Sequence, residues 1–226
     1  MDGKNKNNDS SLRLKLIKVA SEIILNEGLK KLTMRALSQH IGVSRTAPYR
    51  HFENKNALLM TIAEEGFNEL RYKYKKINND TSLDSLSRLQ NIGITYIEFA
   101  IRNPDIFKLM FGKELARKNR SVEFNTAAGK VFKEYLIAVE IFSNEYKEKM
   151  KSNDILIFAN YSWATVHGLA TLLIDDQIQL SGEDSGFPIL FTDQKVKQKN
   201  SIQSMISFSK RTLMEFWDMV LNEIKA

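Results

Sequence analysis

The chain has 226 residues, 43% of them hydrophobic, with 33 Lys and Arg against 27 Asp and Glu and no Cys. That length suits one large domain or a small one joined to a medium one, and the lack of Cys excludes a disulfide framework, a thiolate metal site and a thiol nucleophile. No apolar run reaches the length of a membrane span and the opening MDGKNKNNDS has no apolar core, so a soluble, cytoplasmic protein with no membrane partner is expected.

Only three Pro and ten Gly interrupt the chain, and Val, Thr and Tyr alternation is nowhere sustained, so the expected class is all-α. Residues 1–10 are polar and rich in Asn and Lys and read as a disordered arm. The first helix is expected over 10–27, where Leu12, Leu16, Val19, Ala20, Ile23 and Ile24 recur at helical spacing. Gly28 ends it, with Leu29 as the hydrophobic residue of a Schellman-type stop.

The run from Thr33 to Lys55, TMRALSQHIGVSRTAPYRHFENK, reads as a helix-turn-helix. Thr33 is the expected N-cap of a short helix over 34–40, and Gly42 can take the left-handed conformation that stops it. Ser44 is the expected N-cap of a second short helix over 45–52, which would present Arg45, Thr46, Ala47, Tyr49 and Arg50 to the major groove. Pro48 inside that helix predicts a distorted or 3₁₀-like first turn. Leu32, Leu37, Ile41, Val43 and Phe52 should close a small core with the first helix. Charge points the same way: residues 1–60 hold 11 Lys and Arg against 5 Asp and Glu, while the rest of the chain balances at 22 of each. All the net charge of +6 thus falls on the segment with the motif, as expected where a phosphate backbone is met. Asn54 is the expected N-cap of the next helix, which begins at Lys55 and runs to about residue 78. A cation in that first turn opposes the helix dipole, unless a phosphate sits there.

Thr33, Leu37, Ser38, Gly42, Val43, Ser44, Pro48, Tyr49, His51, Phe52 and Lys55 stand in register with the DNA-binding motif of the TetR family of bacterial transcription regulators, which this run resembles. The resemblance implies that Lys55 contacts phosphate and that Thr33, Tyr49 and His51 reach flanking phosphates. It also implies a three-helix DNA-binding domain over 10–54 and a larger helical regulatory and dimerisation domain over 55–226, linked by the fourth helix.

Beyond 78, the polar run 78–82 is a turn, followed by helices over 83–102 and, after the Asn103-Pro104 break, over 105–111. The stretch NPDIFKLMF resembles a segment common in the same family. Helices over about 121–150, 153–180 and 201–224 complete the chain, the last two being the eighth and ninth predicted. Trp163 to Gly168 resembles the Trp-x-x-x-His-Gly signature of one C-terminal subgroup of the family. The resemblance implies a homodimer through the eighth and ninth helices. Between them, 181–200 breaks periodicity, and its FPILF run needs cover from the body of the protein, a partner or a ligand entrance.

Candidate walls of a small-molecule site are Phe107, Met110, Phe111, Phe132 and Trp163, with His167 as a polar handle one turn after Trp163. No metal or cofactor is expected: the three His lack ligand spacing, and adjacent Asp175 and Asp176 point about 100° apart on a helix. No enzyme motif is present. The reading is a sequence-specific, homodimeric DNA-binding regulator on a palindromic double-stranded operator, a repressor released by a small apolar ligand. The alternative is a constitutive DNA-binding dimer with no inducer.

Overall fold

The structure is a computed structural model that describes residues 3–115, 120–146, 152–180, 188–189 and 201–225. The described chain is all-α, with eight α-helices and two short 3₁₀ turns. A two-residue antiparallel pairing, Gln179–Leu180 with Pro188–Ile189, is the exception. That pairing puts part of the FPILF run into extended backbone; the rest of 181–200 lies outside the described residues.

Helix α1 spans Gly3–Glu27 and so begins well before residue 10, against the expected disordered arm. Leu16, Ile17, Ala20, Ile23 and Ile24 are buried along one face, while Leu12 and Val19 are half-buried. Gly28 does end the helix, but not through a Schellman stop: it takes φ 90°, ψ 157°, and the Leu29 N–H donates to Asp105 Oδ2 at 3.0 Å. After the 3₁₀ turn Leu29–Lys31, α2 spans Met34–Ile41. Helix α3 spans Lys55–Asn78, α4 Ser85–Arg102, α5 Pro104–Phe111, α6 Val122–Glu145, α7 Ser152–Ile174 and α8 Ile202–Lys225.

Helix α7 stops six residues short of the expected 180. Asp176 turns left-handed at φ 52°, and the Gln177 and Asp176 N–H groups donate to Leu172 O and Leu173 O at 2.9 and 3.3 Å. This is a Schellman stop with Asp where Gly is usual, and periodicity cannot see it because Ile178 and Leu180 continue the apolar pattern. Helix α4 starts two residues later than expected because Asp84 caps it, accepting from Ser87 N at 2.6 Å.

The chain divides into two compact units, 1–68 with 105–128 and 69–104 with 129–226. This differs from a boundary at 54/55: the first half of α3, α5 and the start of α6 share a unit with the helix-turn-helix. In that first unit α5 lies hard against α3. A Cβ at Gly66 would meet Met110 Sδ at 2.7 Å and Ile106 Cγ2 at 3.0 Å, so any side chain there would have to push these two aside. Phe67 meets Phe111 and Phe124 edge-on, each at 5.3 Å between centroids. In the second unit α4 packs on α7 and α8. Phe142, Phe158 and Trp217 form an aromatic cluster there, with Phe142 stacked on Phe158 at 5.4 Å.

The turn between α3 and α4 is held by Arg88, which is buried. Its guanidinium donates to the carbonyls of Ile77, Asn78, Asp80 and Leu83 at 2.5–3.1 Å. Two of those carbonyls belong to the end of α3, which otherwise leaves acceptors without partners.

Candidate nucleic-acid interface

The interface is built from the end of α1 to the start of α3. Thr33 is extended (φ −131°, ψ 154°) and its Oγ1 accepts from Ala36 N at 3.0 Å, the expected N-cap. Met34, Leu37 and Ser38 face inward, and Ser38 Oγ donates back to Met34 O at 2.6 Å. Gly42 is left-handed at φ 79°, ψ 33°. Val43 N–H and Gly42 N–H donate to Ser38 O, each at 3.0 Å, which closes α2 and turns the chain. Leu32, Leu37 and Phe52 are fully in the core, whereas Ile41 and Val43 are only half-buried. The Arg13 guanidinium lies over the Phe52 ring at 5.3 Å, tying α1 to the far side of the motif.

The second short helix differs from the expected α-helix over 45–52. It is a 3₁₀ turn, Ala47–Arg50, entered through a turn at Arg45 and Thr46. Pro48 is the reason: with no N–H to give and φ fixed, it supports i→i+3 closure, as in the Tyr49 N–H to Thr46 O bond at 3.1 Å. Ser44 does not cap by its side chain; its Oγ pairs with Thr46 Oγ1 at 3.2 Å, and its carbonyl accepts from Ala47 N at 3.0 Å. Arg45, Thr46, Tyr49 and Arg50 are exposed, as are Thr33 and Ser44. Ala47 is not: at 7% exposure its methyl faces the core beside Pro48, which removes it from the set of side chains on the exposed face. His51 and Lys55 are half-buried at the rim. Asn54 Oδ1 accepts from Ala57 N at 3.0 Å, so α3 begins as expected, with Lys55 as its first residue.

The six candidate ligand residues divide between the two units. In the first, Phe107 and Met110 are buried and Phe111 half-buried. Phe111 meets both Phe67 and Phe107, and Met110 faces Gly66. Met110 and Phe111 thus pack α5 onto α3, and Phe107 is buried against Phe111 within α5. In the second, Phe132, Trp163 and His167 form one cluster: Phe132 and Trp163 are 5.9 Å apart and Trp163 and His167 6.0 Å, centroid to centroid. Phe132 and Trp163 are more than one-third exposed, not inward as a core stripe requires.

The cluster has further members outside the expected ligand set. Tyr96 OH and His167 Nδ1 are hydrogen-bonded at 2.7 Å. The Tyr135 hydroxyl donates to Ala159 O at 2.7 Å and lies 2.5 Å from Ser162 Oγ. Tyr74 is buried close enough to both phenols to feel their charge. Burial pushes the Tyr74 and Tyr96 hydroxyls well above the usual phenol range and Tyr135 up to about 12, the last against the lowering effect of Ser162. Burial pushes His167 the other way, below its ordinary value of 6.5. The group is therefore polar but uncharged near neutral pH. The available signal was a Tyr in an apolar stripe, whose hydroxyl needs a partner once buried.

Among the described residues no group of His, Cys, Asp and Glu could hold a metal ion, and no helix is long and apolar enough to cross a membrane.

Residues 16–62 match the family model of bacterial regulatory proteins, tetR family, and residues 89–187 that of the tetracyclin repressor-like C-terminal domain. Among curated proteins the chain is similar to the nucleoid occlusion factor SlmA of Vibrio cholerae, 31% identical over 94 residues, or 42% of this chain. It spans about half the length of such relatives, 47% here. Solved structures share its fold over nearly the whole chain. A TetR/AcrR-family transcriptional regulator from Thermobifida fusca covers 90% of this chain and 97% of its own, with TM-score 0.61 and 17% identity. The transcriptional regulator FadR from Bacillus subtilis, in complex with stearoyl-CoA, covers 90% and 96%, with TM-score 0.58 and 14% identity.

Proposed function

The chain is built of the two domains of the TetR family of transcription regulators, an N-terminal DNA-binding domain and a C-terminal helical domain, and on that premise we propose that it is a homodimeric repressor released from a palindromic operator by a small, mainly apolar molecule. One observation carries the DNA-binding part. The N-capped α2, the left-handed Gly42 and the 3₁₀ turn leave Arg45, Thr46, Tyr49 and Arg50 exposed on the segment that holds all the net positive charge. Arg45 and Arg50 read base edges, since Arg can grip guanine through two hydrogen bonds. Thr33, Ser44, Tyr49, His51 and Lys55 hold phosphates; Lys55, at the start of α3, meets one that the helix N-terminus also attracts.

Two half-sites are needed because a turn this short touches too few base pairs alone. Support for a dimer through α7 and α8 is the row Ile157, Tyr161 and Leu172 along one face of α7, 53%, 73% and 43% exposed, with Met214 of α8 at 52%. Soluble proteins seldom leave such a row to water.

The effector reading rests on the uncharged cluster of Tyr96, Tyr135, Trp163 and His167 with Phe132 beside it. A charged ligand group there would find no counter-charge among these residues, so the molecule is apolar with a neutral hydrogen-bonding group. Phe107, Met110 and Phe111 act from the first unit as packing. An effector shifts the equilibrium only if it favours the form that does not bind DNA. A protein of this fold has been solved in complex with stearoyl-CoA, whose acyl chain is apolar.

The test is operator selection from random DNA, followed by affinity against salt. Lys55→Ala should lower the slope of log K against log salt by roughly one unit and keep the selected site. Arg45→Ala and Arg50→Ala should relax the selected sequence at particular positions. A Lys55→Ala protein that selected a different site with an unchanged salt slope would reverse these roles. Calorimetry with apolar compounds, with and without operator, on wild type and Trp163→Ala tests the effector; binding never linked to DNA release would leave a constitutive DNA-binding dimer.

A further inference from the structure

We propose that the depression between α3 and α4 in the second unit binds a small organic anion with an apolar body, a carboxylate or phosphate monoester on a short alkyl or aryl group. The depression is open to solvent and has a volume of about 290 Å³, lined by Lys73, Lys76 and Ile77 of α3 and Thr95, Glu98, Phe99 and Arg102 of α4. That volume is just under the range of small-molecule sites, roughly 300–1,000 Å³, and suits a small ligand. It shares no residue with the Tyr96–His167 cluster or with the DNA-facing turn.

Charge bookkeeping over the lining leaves two cations unanswered. Glu98 is paired at 3.3 Å with Lys210, which lies outside the lining. Lys73 is paired at 2.7 Å with Glu69, also outside it, and its ammonium sits 5.7 Å from the Phe99 ring centre. Lys76 leans over the Tyr72 ring at 4.9 Å, and neither it nor Arg102 has a carboxylate partner among the described residues. Beneath them lie half-buried Ile77 and Thr95 and buried Phe99.

Cations in the last turns of α3 and α4 would offset the helix dipoles by themselves. That role requires neither a depression between them nor an apolar floor. A neutral apolar molecule would leave Lys76 and Arg102 without a counter-charge, and a bare anion would leave the floor to water. A molecule with both parts satisfies both, with Arg102 able to offer a two-pronged grip to carboxylate or phosphate oxygens.

Phenyl phosphate is the probe, with inorganic phosphate and benzyl alcohol as its two halves. Titration of the isotope-labelled full chain should move the amide resonances of Thr95, Glu98, Phe99 and Arg102 saturably, and binding should weaken as salt is raised. Each half alone should bind about tenfold more weakly or worse. The exposed double variant Lys76→Ala, Arg102→Ala should lose about tenfold in affinity. Thr95→Trp, which fills the depression and keeps its charge, should abolish the shifts. Shifts centred elsewhere, benzyl alcohol or inorganic phosphate binding as tightly as phenyl phosphate, or wild-type affinity in both variants would each overturn the proposal.

Discussion

Gly42 and Asp176, both left-handed, call for opposite substitutions. Gly42 closes α2 at φ 79°, and an added Cβ there would meet nothing within 4 Å, so only backbone strain is at stake. Gly42→Ala should destabilise the first unit by about 1 kcal/mol. Asp176 closes α7 in the same conformation at φ 52° without the freedom of glycine. Asp176→Gly should stabilise the second unit, by about 0.5 kcal/mol once the entropy of a new glycine is deducted. Urea titration of each variant against wild type reads both signs; two shifts of the same sign would contradict the assignment. His167 supplies a pH dependence. Its folded pKa is depressed by burial below the ordinary 6.5, so the unfolded chain takes up the proton first. The stability tied to neutral His167 is complete above pH 6.5 and is lost as pH falls through the folded value. His167→Gln, which cannot gain that charge, should flatten the stability profile below 6.5; an unchanged acid limb would show that other groups control it.

At the level of elements, the α3–α4 turn depends on one side chain. Arg88 gives its N–H groups to four carbonyls from a buried position, with no carboxylate among those bonds. Removing it leaves the end of α3 and the turn without these donors at part-buried carbonyls. Arg88→Met should cost about 3 kcal/mol or more, and Arg88→Lys should recover only part, because an ammonium cannot span the same carbonyls in one plane. Thermal unfolding checks the order wild type, Lys, Met. Equal losses for Lys and Met would mean that the planar fork, not the charge, is all that counts. The apolar row on α7 gives a second prediction about an element. Tyr161→Asp, at 73% exposure, should leave the fold intact and yield monomers in sedimentation at micromolar concentration.

For the molecule as a whole, the two compact units do not follow the order of the chain. Residues 105–128 belong with the helix-turn-helix, and α3 and α6 each contribute to both units. Loss of dimerisation should therefore weaken operator binding without unfolding the first unit, whose core closes on itself around Leu16, Leu37, Phe52, Ile62 and Phe107. Tyr161→Asp protein should show non-specific DNA affinity close to wild type and much reduced affinity for a palindromic site. Equal affinity for a palindrome and a single half-site in the wild type would contradict a two-fold reader.

Signals that act within a few residues were legible in the sequence. Thr33 and Asn54 as caps, Gly42 as a stop, Pro48 as a source of 3₁₀ geometry and the helical spacing of α1, α3, α4 and α8 all express a side chain's effect on backbone within one turn. Partners at long range were not, because periodicity says which face is apolar and not what it meets. The Leu29 N–H finds Asp105 76 residues away, α5 presses against Gly66, and Tyr96 finds His167 71 residues on. Each choice is made by packing shape and by the cost of an unpaired buried polar group, which exist only once the chain is folded. Ala47 shows the same division at one position. Its place in the motif suggests a surface contact, but the tighter 3₁₀ turn set by Pro48 rotates its methyl into the core.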